Sequence, residues 1–408
     1  MMDTLRVRVY NVRFGDGILL TIPDRDKKGK ITERHILIDV GNALNKDGGA
    51  DSVFKPVVAD IVKELDGRPL DLYIMTHEHM DHIQGLPYAE RYFYTESESQ
   101  LKDLLNTQYA WLTASAAENY RDTHPKAQKA ELNFKRDYNA INSFIHSPIY
   151  MEGISSQQLA YLETLLAINN PRSSQDNVDY LRKLARHTYY VYRGVKLGRK
   201  HPFKETKFEI WAPEEDSSVY YGNYQSPALG MAAEEAVTEK VAWQDCCPPA
   251  GVDASAFYNL IEARRQCAES LLAIDKAENN TSVVCCIEWR GWRLLFTGDA
   301  EIKSWKIMRD QGQLHAVEFL KVSHHGSHNG TPGESILDAI LPKRAAKGKG
   351  RRAAVSTWRG TYSGVPDAAT IKRLYDPAVA GLQPRCDQLT MVNESISQQL
   401  YEDFFFEG

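Results

Sequence analysis

Leu70-Asp71-Leu72-Tyr73-Ile74-Met75-Thr76-His77-Glu78-His79-Met80-Asp81-His82 reads as a buried strand that runs directly into four candidate metal ligands, His77, His79, Asp81 and His82. Ligands at a strand end stand on a rigid platform. His77 and His79 can reach one metal, and Asp81 and His82 a second beside it. Mixed imidazole and carboxylate donors suit zinc, with manganese or iron as alternatives.

Two further predicted strands end in ligand types. The strand over 293–296 runs into Thr297-Gly298-Asp299, and that over 317–322 into Ser323-His324-His325-Gly326-Ser327-His328. Asp299 has the valence to bridge two cations. Upstream, alternation predicts strands over 5–12, 18–22 and 36–38. The third ends in Asp39-Val40-Gly41, where Asp39 is expected to hold a ligand histidine from behind. A helix is predicted over 53–65 and a short strand over 91–94. Between about 97 and 187 the apolar period becomes helical, first through Leu101, Leu104, Leu105, Tyr109 and Leu112 and then through three more sets. This segment reads as a helical insertion acting as a lid, a dimer arm or a substrate platform. Strands return over 188–192, 208–211, 282–289 and 353–356, and helices over 257–277, 301–309, 334–340 and 368–375. Tyr220, Tyr221 and Tyr224 are expected to pack rather than to stack on a base. The tail over 401–406 is assigned no element.

Composition bounds the class. With 408 residues, 43% hydrophobic and 25% charged, the chain has the profile of a globular protein with a large core. A formal net charge of -5 excludes wholesale coating of nucleic acid while leaving room for a local basic groove. The six cysteines include two adjacent pairs, Cys246-Cys247 and Cys285-Cys286, and no zinc-finger spacing, which points to a reduced, cytoplasmic chain. No secretory leader and no membrane span is expected, because no apolar run approaches the roughly 18 residues a span needs. The most basic stretch runs from Lys343 to Arg352. It includes Arg344 and Arg351 and is expected to meet substrate phosphates.

Set side by side, five segments resemble a known family. They are Gly15-Asp16, Asp39-Val40-Gly41, Thr76 to His82, Thr297-Gly298-Asp299, and Leu320-Lys321-Val322-Ser323-His324-His325-Gly326-Ser327. The pattern looks like the metallo-β-lactamase fold superfamily, and within it the hydrolase domain of the DNA-uptake competence proteins. The match covers about residues 5–95 and 282–376. The resemblance implies an α+β, four-layer αββα sandwich with a two-metal site on its open edge. The chain then reads as one such domain over 1–408, carrying the helical insertion over 97–187. By motif position, His77 and His79 belong to the first metal, Asp81 and His82 to the second, and Asp299 bridges. One of His324 and His325 completes the second site and the other lies near the substrate.

Two features depart from the family. The superfamily often supplies another histidine between the first string and the bridging aspartate; here His124, His146, His187 and His201 fall in that interval and read as ordinary histidines. The competence-like branch often has Asn and then His-Pro after its last core strand. Val365 stands at that histidine's position, so a phosphate or leaving-group contact is either lost or replaced by Arg359, Tyr362 or Ser363.

The expected chemistry is hydrolysis. Two divalent ions lower the pKa of a water to give hydroxide near neutral pH and stabilise developing charge. Asp81 would orient the nucleophile, and His324, His325 or His328 would protonate the leaving group. The leading expectation is a phosphodiesterase or nuclease acting on a nucleic acid or nucleotide. The alternatives are a hydrolase of small phosphoesters, thioesters or lactones, and a non-catalytic scaffold that binds a partner or a second copy through the helical insertion.

Overall fold

The period-2 segments build two sheets in a computed structural model that describes residues 3–26, 28–42, 49–90, 100–146, 155–221, 254–343, 349–358, 364–375, 385–392 and 399–408. The strands are β1 (Thr4–Tyr10), β2 (Gly17–Arg25), β3 (Ile31–Val40), β4 (Leu72–Met75), β5 (Tyr109–Thr113), β6 (His187–Val191), β7 (Thr206–Ala212), β8 (Val284–Trp289), β9 (Trp292–Phe296), β10 (Phe319–Lys321), β11 (Arg352–Ser356), β12 (Gln388–Val392) and β13 (Tyr401–Glu407). One sheet has the order β13-β1-β2-β3-β4-β5-β6 and the other β12-β11-β10-β9-β8-β7. Strands β3 to β6 run parallel in the first sheet, and β9 to β12 in the second. Parallel strands deliver all their C-terminal ends to one edge, and that is where the ligand motifs lie.

The sheets pack face to face. Ile36, Ile74 and Trp111 of the first share a core with Ile287, Phe296 and Phe319 of the second. The outer face of the first sheet, with Leu37 and Tyr73, is covered by the helices Gly49–Leu65 and Pro171–Arg182 through Val57, Ile61 and Val178. The outer face of the second is covered by the helices Ile302–Asp310 and Glu334–Ile340 through Trp305 and Leu337. The result is a mixed α+β sandwich of two sheets with helices outside, and two buried faces per central strand explain their near-continuous apolar sequences.

The segment read as helical contains one strand. Helix Leu101–Leu105 ends at Asn106 in the left-handed region (φ 43°), and β5 follows at once. Its residues alternate: Ala110 and Leu112 join the outer core and Trp111 the inner one. Over so few residues, apolar positions on both faces mimic a helical period. The helices Pro125–Ile145 and Ser156–Ile168 do form. They pack on the helix Ala254–Asn279 in a core of their own, through Tyr138, Ile141, Leu165 and Leu271. The tail is also a strand: β13 pairs antiparallel with β1, and Asp403 accepts from Arg8 Nε at 2.8 Å. Strand β12 carries no alternation that marked it. Tyr220 is buried and the Tyr221 ring lies 5.0 Å from Phe134. The predicted strand over 91–94, Tyr224, Cys246 and Cys247 lie outside the described residues. Cys267, Cys285 and Cys286 are free thiols, and these three and Cys386 are buried. No described helix is long and apolar enough to cross a membrane.

One buried ion pair locks the two sheets at the ligand edge. Lys321 Nζ, at the end of β10, donates to Asp16 Oδ2 at 2.8 Å. Both side chains are buried, at 1% and 2% exposure. Removing one partner strands the other charge in the interior, which costs about 3–5 kcal/mol. Lys321→Met is therefore expected to lower unfolding stability by about that amount in urea titration at pH 7.

A second prediction concerns acid stability. His35 on β3 is 1% exposed, and burial, then the Arg68 charge, push its pKa down to about 4. Unfolded, it titrates near 6.5. A folded pKa below the unfolded one gives stability that is present above about 6.5 and lost as pH falls toward 4. By linkage this group alone removes about 2 kcal/mol between pH 7 and pH 5. Urea midpoints of His35→Leu measured across that range should lack this part of the slope.

Candidate metal centre

The ends of β3 and β4 are tied together by Asp39. Its backbone is left-handed (φ 51°) and its side chain is fully buried. The Thr76 backbone N–H donates to Asp39 Oδ1 at 2.8 Å, and Thr76 Oγ1 donates to Oδ2 at 2.6 Å. His82 Nδ1 lies 2.9 Å from the same Oδ2. Held from behind in this way, His82 turns Nε2 forward. Gly41 is required for the close approach: a Cβ there would stand 2.2 Å from the carbonyl carbon of Asp81 and from the nitrogen of His82.

Across the sheet interface, β9 and β10 bring up the other side. Asp81, His82, Asp299 and His325 are all buried, and each offers a ligand atom within 4.8 Å of the others. His325 Nε2 lies 3.3 Å from Asp81 Oδ2 and 3.3 Å from Asp299 Oδ2. His82 Nε2 lies 3.3 Å from Asp299 Oδ2. His325 Nδ1 is 2.9 Å from the Ser356 carbonyl, so it too presents Nε2. Four buried atoms around this point have no hydrogen-bond partner: His77 Nε2, Asp81 Oδ1, His82 Nε2 and Asp299 Oδ1. Buried polar atoms are normally satisfied. Two imidazole nitrogens and two carboxylate oxygens left without partners among the described residues at this edge fit a divalent cation in donor type and charge.

The electrostatics agree. Burial opposes a proton on His325, but Asp299 and Asp81 outweigh it and push its pKa up to about 10. Burial likewise opposes protonation of His82, yet Asp299 and Asp81 raise it well above its ordinary value. Burial works to raise Asp299, and the charges of His325 and His82 hold it well below the usual carboxylate range. The carboxylates therefore demand positive charge, which the imidazoles supply as protons and a cation would supply instead, releasing them. His77 is pushed well down by burial and by its neighbours His82 and His79, which leaves a neutral ring.

The structure sorts the remaining expected residues. His77 and His79 adjoin one another, rings 4.6 Å apart, outside the quartet. His79 Nε2 lies 3.0 Å from Glu278 Oε2. Of the adjacent pair, His325 joins the quartet and His324 does not. Both are left-handed, at φ 47° and 51°, and His324 Nδ1 stands 3.2 Å from Glu301 Oε1. His328 is exposed. His124 stacks on Tyr120, His201 packs on Phe208, and His187 and His146 lie elsewhere on the surface.

The described residues of the basic stretch lie away from the quartet. Arg352 opens β11, whose other end, Ser356, touches His325. Four residues of strand place Arg352 about 13 Å away, at the opposite edge of the sheet. There it donates to the Phe405 carbonyl. Arg351 is buried and donates to the Pro342 carbonyl, and exposed Lys343 follows the Glu334–Ile340 helix on that side. Sequence proximity to the ligand motif misled, because a parallel strand must start at the far edge before it returns. Arg344, Arg359 and Tyr362 lie outside the described residues.

Sequence reasoning missed three carboxylates: Asp275 and Glu278 on the Ala254–Asn279 helix, and Glu301. Glu278 lies 199 residues from the His79 it meets, and nothing local marks it. A cavity of about 550 Å³ borders the site. Glu78 and Glu278 line it on the metal side, with Tyr138, Glu131, Arg121 and Arg182 contributed by the helical segments.

No protein-family model matches the chain, and no curated protein does. Among solved structures it is similar to a long form RNase Z from yeast, at 17% identity over 28% of this chain and 14% of that one, with a TM-score of 0.18. The shared part is thus about a seventh of the yeast chain and carries no argument about function.

Asp39→Ala removes the acceptor behind His82 and both contacts to Thr76. Loss of such a supporting group typically weakens metal affinity about 10–100-fold. A chelator competition with the purified variant should show a drop of that size.

Proposed function

We propose that the chain is a metal-dependent hydrolase of the metallo-β-lactamase fold that cleaves phosphodiester bonds in a nucleic acid or nucleotide. Its cofactors would be two divalent ions, zinc first and manganese as the alternative. The observation that carries this reading is the buried quartet Asp81, His82, Asp299 and His325, with open donor atoms where the two sheets meet. We read residues 1–408 as one such domain, with the part of 97–187 that follows β5 as a helical insertion that shapes the approach to the site.

Bound ions would supply Lewis acidity and a water of lowered pKa. The chain's own residues do the positioning. His82 and His325 would hold one ion through Nε2, because Asp39 and the Ser356 carbonyl occupy Nδ1. Asp299 faces His82 and His325 with Oδ2 and has Oδ1 open, which suits a bridge to an ion held by His77 and His79. Asp81 also keeps Oδ1 open and would orient an attacking water. The phosphodiester assignment draws on the resemblance to the competence hydrolase domains. Two residues of that resemblance far apart in sequence, Asp16 and Lys321, form one buried ion pair here.

A second reading has its own observation. The cavity is lined by Glu78, Glu118, Glu131, Asp179 and Glu278 against Arg121, Lys135 and Arg182. A pocket lined mainly by carboxylates suits a small phosphoester, thioester or lactone better than a polyanion.

The test is metal analysis joined to a hydrolysis panel of single-stranded DNA, duplex DNA, RNA, cyclic nucleotides, bis-p-nitrophenyl phosphate and small esters. Asp299→Ala and His79→Ala should each hold less metal and lose diester cleavage by about 10³-fold or more, the several kcal/mol a metal supplies. Metal binding with ester or thioester turnover alone would transfer the assignment to the second reading. Folded protein that takes up no zinc or manganese and turns over nothing would sink both in favour of a partner-binding scaffold.

A further inference from the structure

His324 leaves the quartet for a different set of side chains. Ligand atoms of Asp275, Glu301 and His324 lie within 4.8 Å of one another. They come from three places in the fold: the last turns of the Ala254–Asn279 helix, the residue before the Ile302–Asp310 helix, and the turn after β10. The two carboxylates are buried, at 7% and 4% exposure. Among the described residues neither is paired with a lysine or arginine. Asp275 instead accepts from the amides of Asn169 at 3.0 Å and Asn279 at 3.1 Å, and Glu301 from Asn279 at 3.2 Å.

Amide dipoles stabilise a buried carboxylate but do not neutralise it, and two such charges side by side are costly. A separate observation points to what is needed. Asn279 is 1% exposed, and while its Nδ2 contacts both carboxylates, its Oδ1 has no partner. His324 Nδ1, although 3.2 Å from Glu301 Oε1, is off line for a hydrogen bond and is also unpartnered. Two carboxylates and an imidazole nitrogen thus converge, and the amide of Asn279 that bridges the carboxylates through Nδ2 keeps its oxygen open beside them among the described residues. Such a set, rich in oxygen, is the kind that manganese or magnesium accepts.

We propose that Asp275, Glu301 and His324, with Asn279, form a further divalent-cation site of oxygen-preferring character beside the quartet. The His324 and His325 rings are 6.1 Å apart, so the two positions adjoin without sharing a ligand. The site would clamp the C-terminal turns of the Ala254–Asn279 helix, and with them the helical core, onto the ligand edge. It does not depend on which bond the quartet hydrolyses.

The test uses full-length protein stripped with chelator and titrated with Mn²⁺, counting bound ions by loss of the free-ion electron paramagnetic resonance signal. Glu301→Gln and Asp275→Asn should each weaken one Mn²⁺ equivalent by at least about tenfold. His325→Ala should weaken a different one, and Glu301→Gln combined with His325→Ala should weaken both. Because Glu301→Gln removes one of two crowded charges, its metal-free melting temperature should equal or exceed that of the unaltered chain, while its Mn²⁺-induced rise shrinks; Asp275→Asn reports the same independently. Unchanged Mn²⁺ binding in both variants would overturn the inference, whatever His325→Ala does. Binding lost in Glu301→Gln but untouched in His325→Ala would uphold it and remove the support for the quartet.

Discussion

The buried pair of Lys321 and Asp16 is the constraint on which the ligand edge depends. Asp16 gathers more than one contact. Its backbone N–H donates to the Asp81 carbonyl, its own carbonyl accepts from the Gly41 N–H, and Ser356 Oγ donates to its carboxylate. One residue in the first turn thus touches the ends of β3, β10 and β11 and the turn that carries two ligands. A charge pair here is a registry device: its attraction is repaid only in one geometry, and that geometry is the one in which Asp81 and His82 meet Asp299 and His325. Packing between two apolar sheet faces would tolerate a slide that this pair does not.

The price of the arrangement is charge concentrated in the interior. Asp39 lies within reach of His82, and Asp81 and Asp299 within reach of His82 and His325; among the described residues they are offered imidazoles and no arginine. The second cluster around Asp275 and Glu301 repeats the pattern with amides. The backbone adds strain of its own, since His324 and His325 are consecutive left-handed residues without a glycine's freedom, a conformation that costs of order 1–3 kcal/mol at each. Strain and unpaired polar atoms collect at the same edge, which is where ligand sites are usually built.

Much of this was legible along the chain. Most strands and helices were marked by their apolar period, and Asp39 by its place at a strand end before a glycine. The failures have local causes. Tyr109–Thr113 is a strand buried on both faces, so its sequence lacks the alternation that separates strand from helix. In the Tyr401–Glu407 tail, Asp403 faces Arg8 across a strand pair, a partner that composition alone does not reveal, so the sequence alone assigns the tail no element. The cluster of Lys343 to Arg352 looked close to the histidines only because sequence distance ignores that β11 enters from the opposite edge.

What the sequence by itself determined is the inventory of candidate ligands and its platform: a strand ending in His77, His79, Asp81 and His82, and two more ending in Asp299 and in His324-His325. Those features are local, since spacing within a turn and the period of a strand are set by neighbouring residues. Only the tertiary structure decided which of two adjacent histidines joins the quartet, and that Asp275 and Glu278 reach His324 and His79 from a helix far along the chain. Side-chain direction at His324 and His325 follows from backbone angles imposed by packing, and contact between distant segments follows from the closing of the sandwich. Neither leaves a mark in the residues nearby.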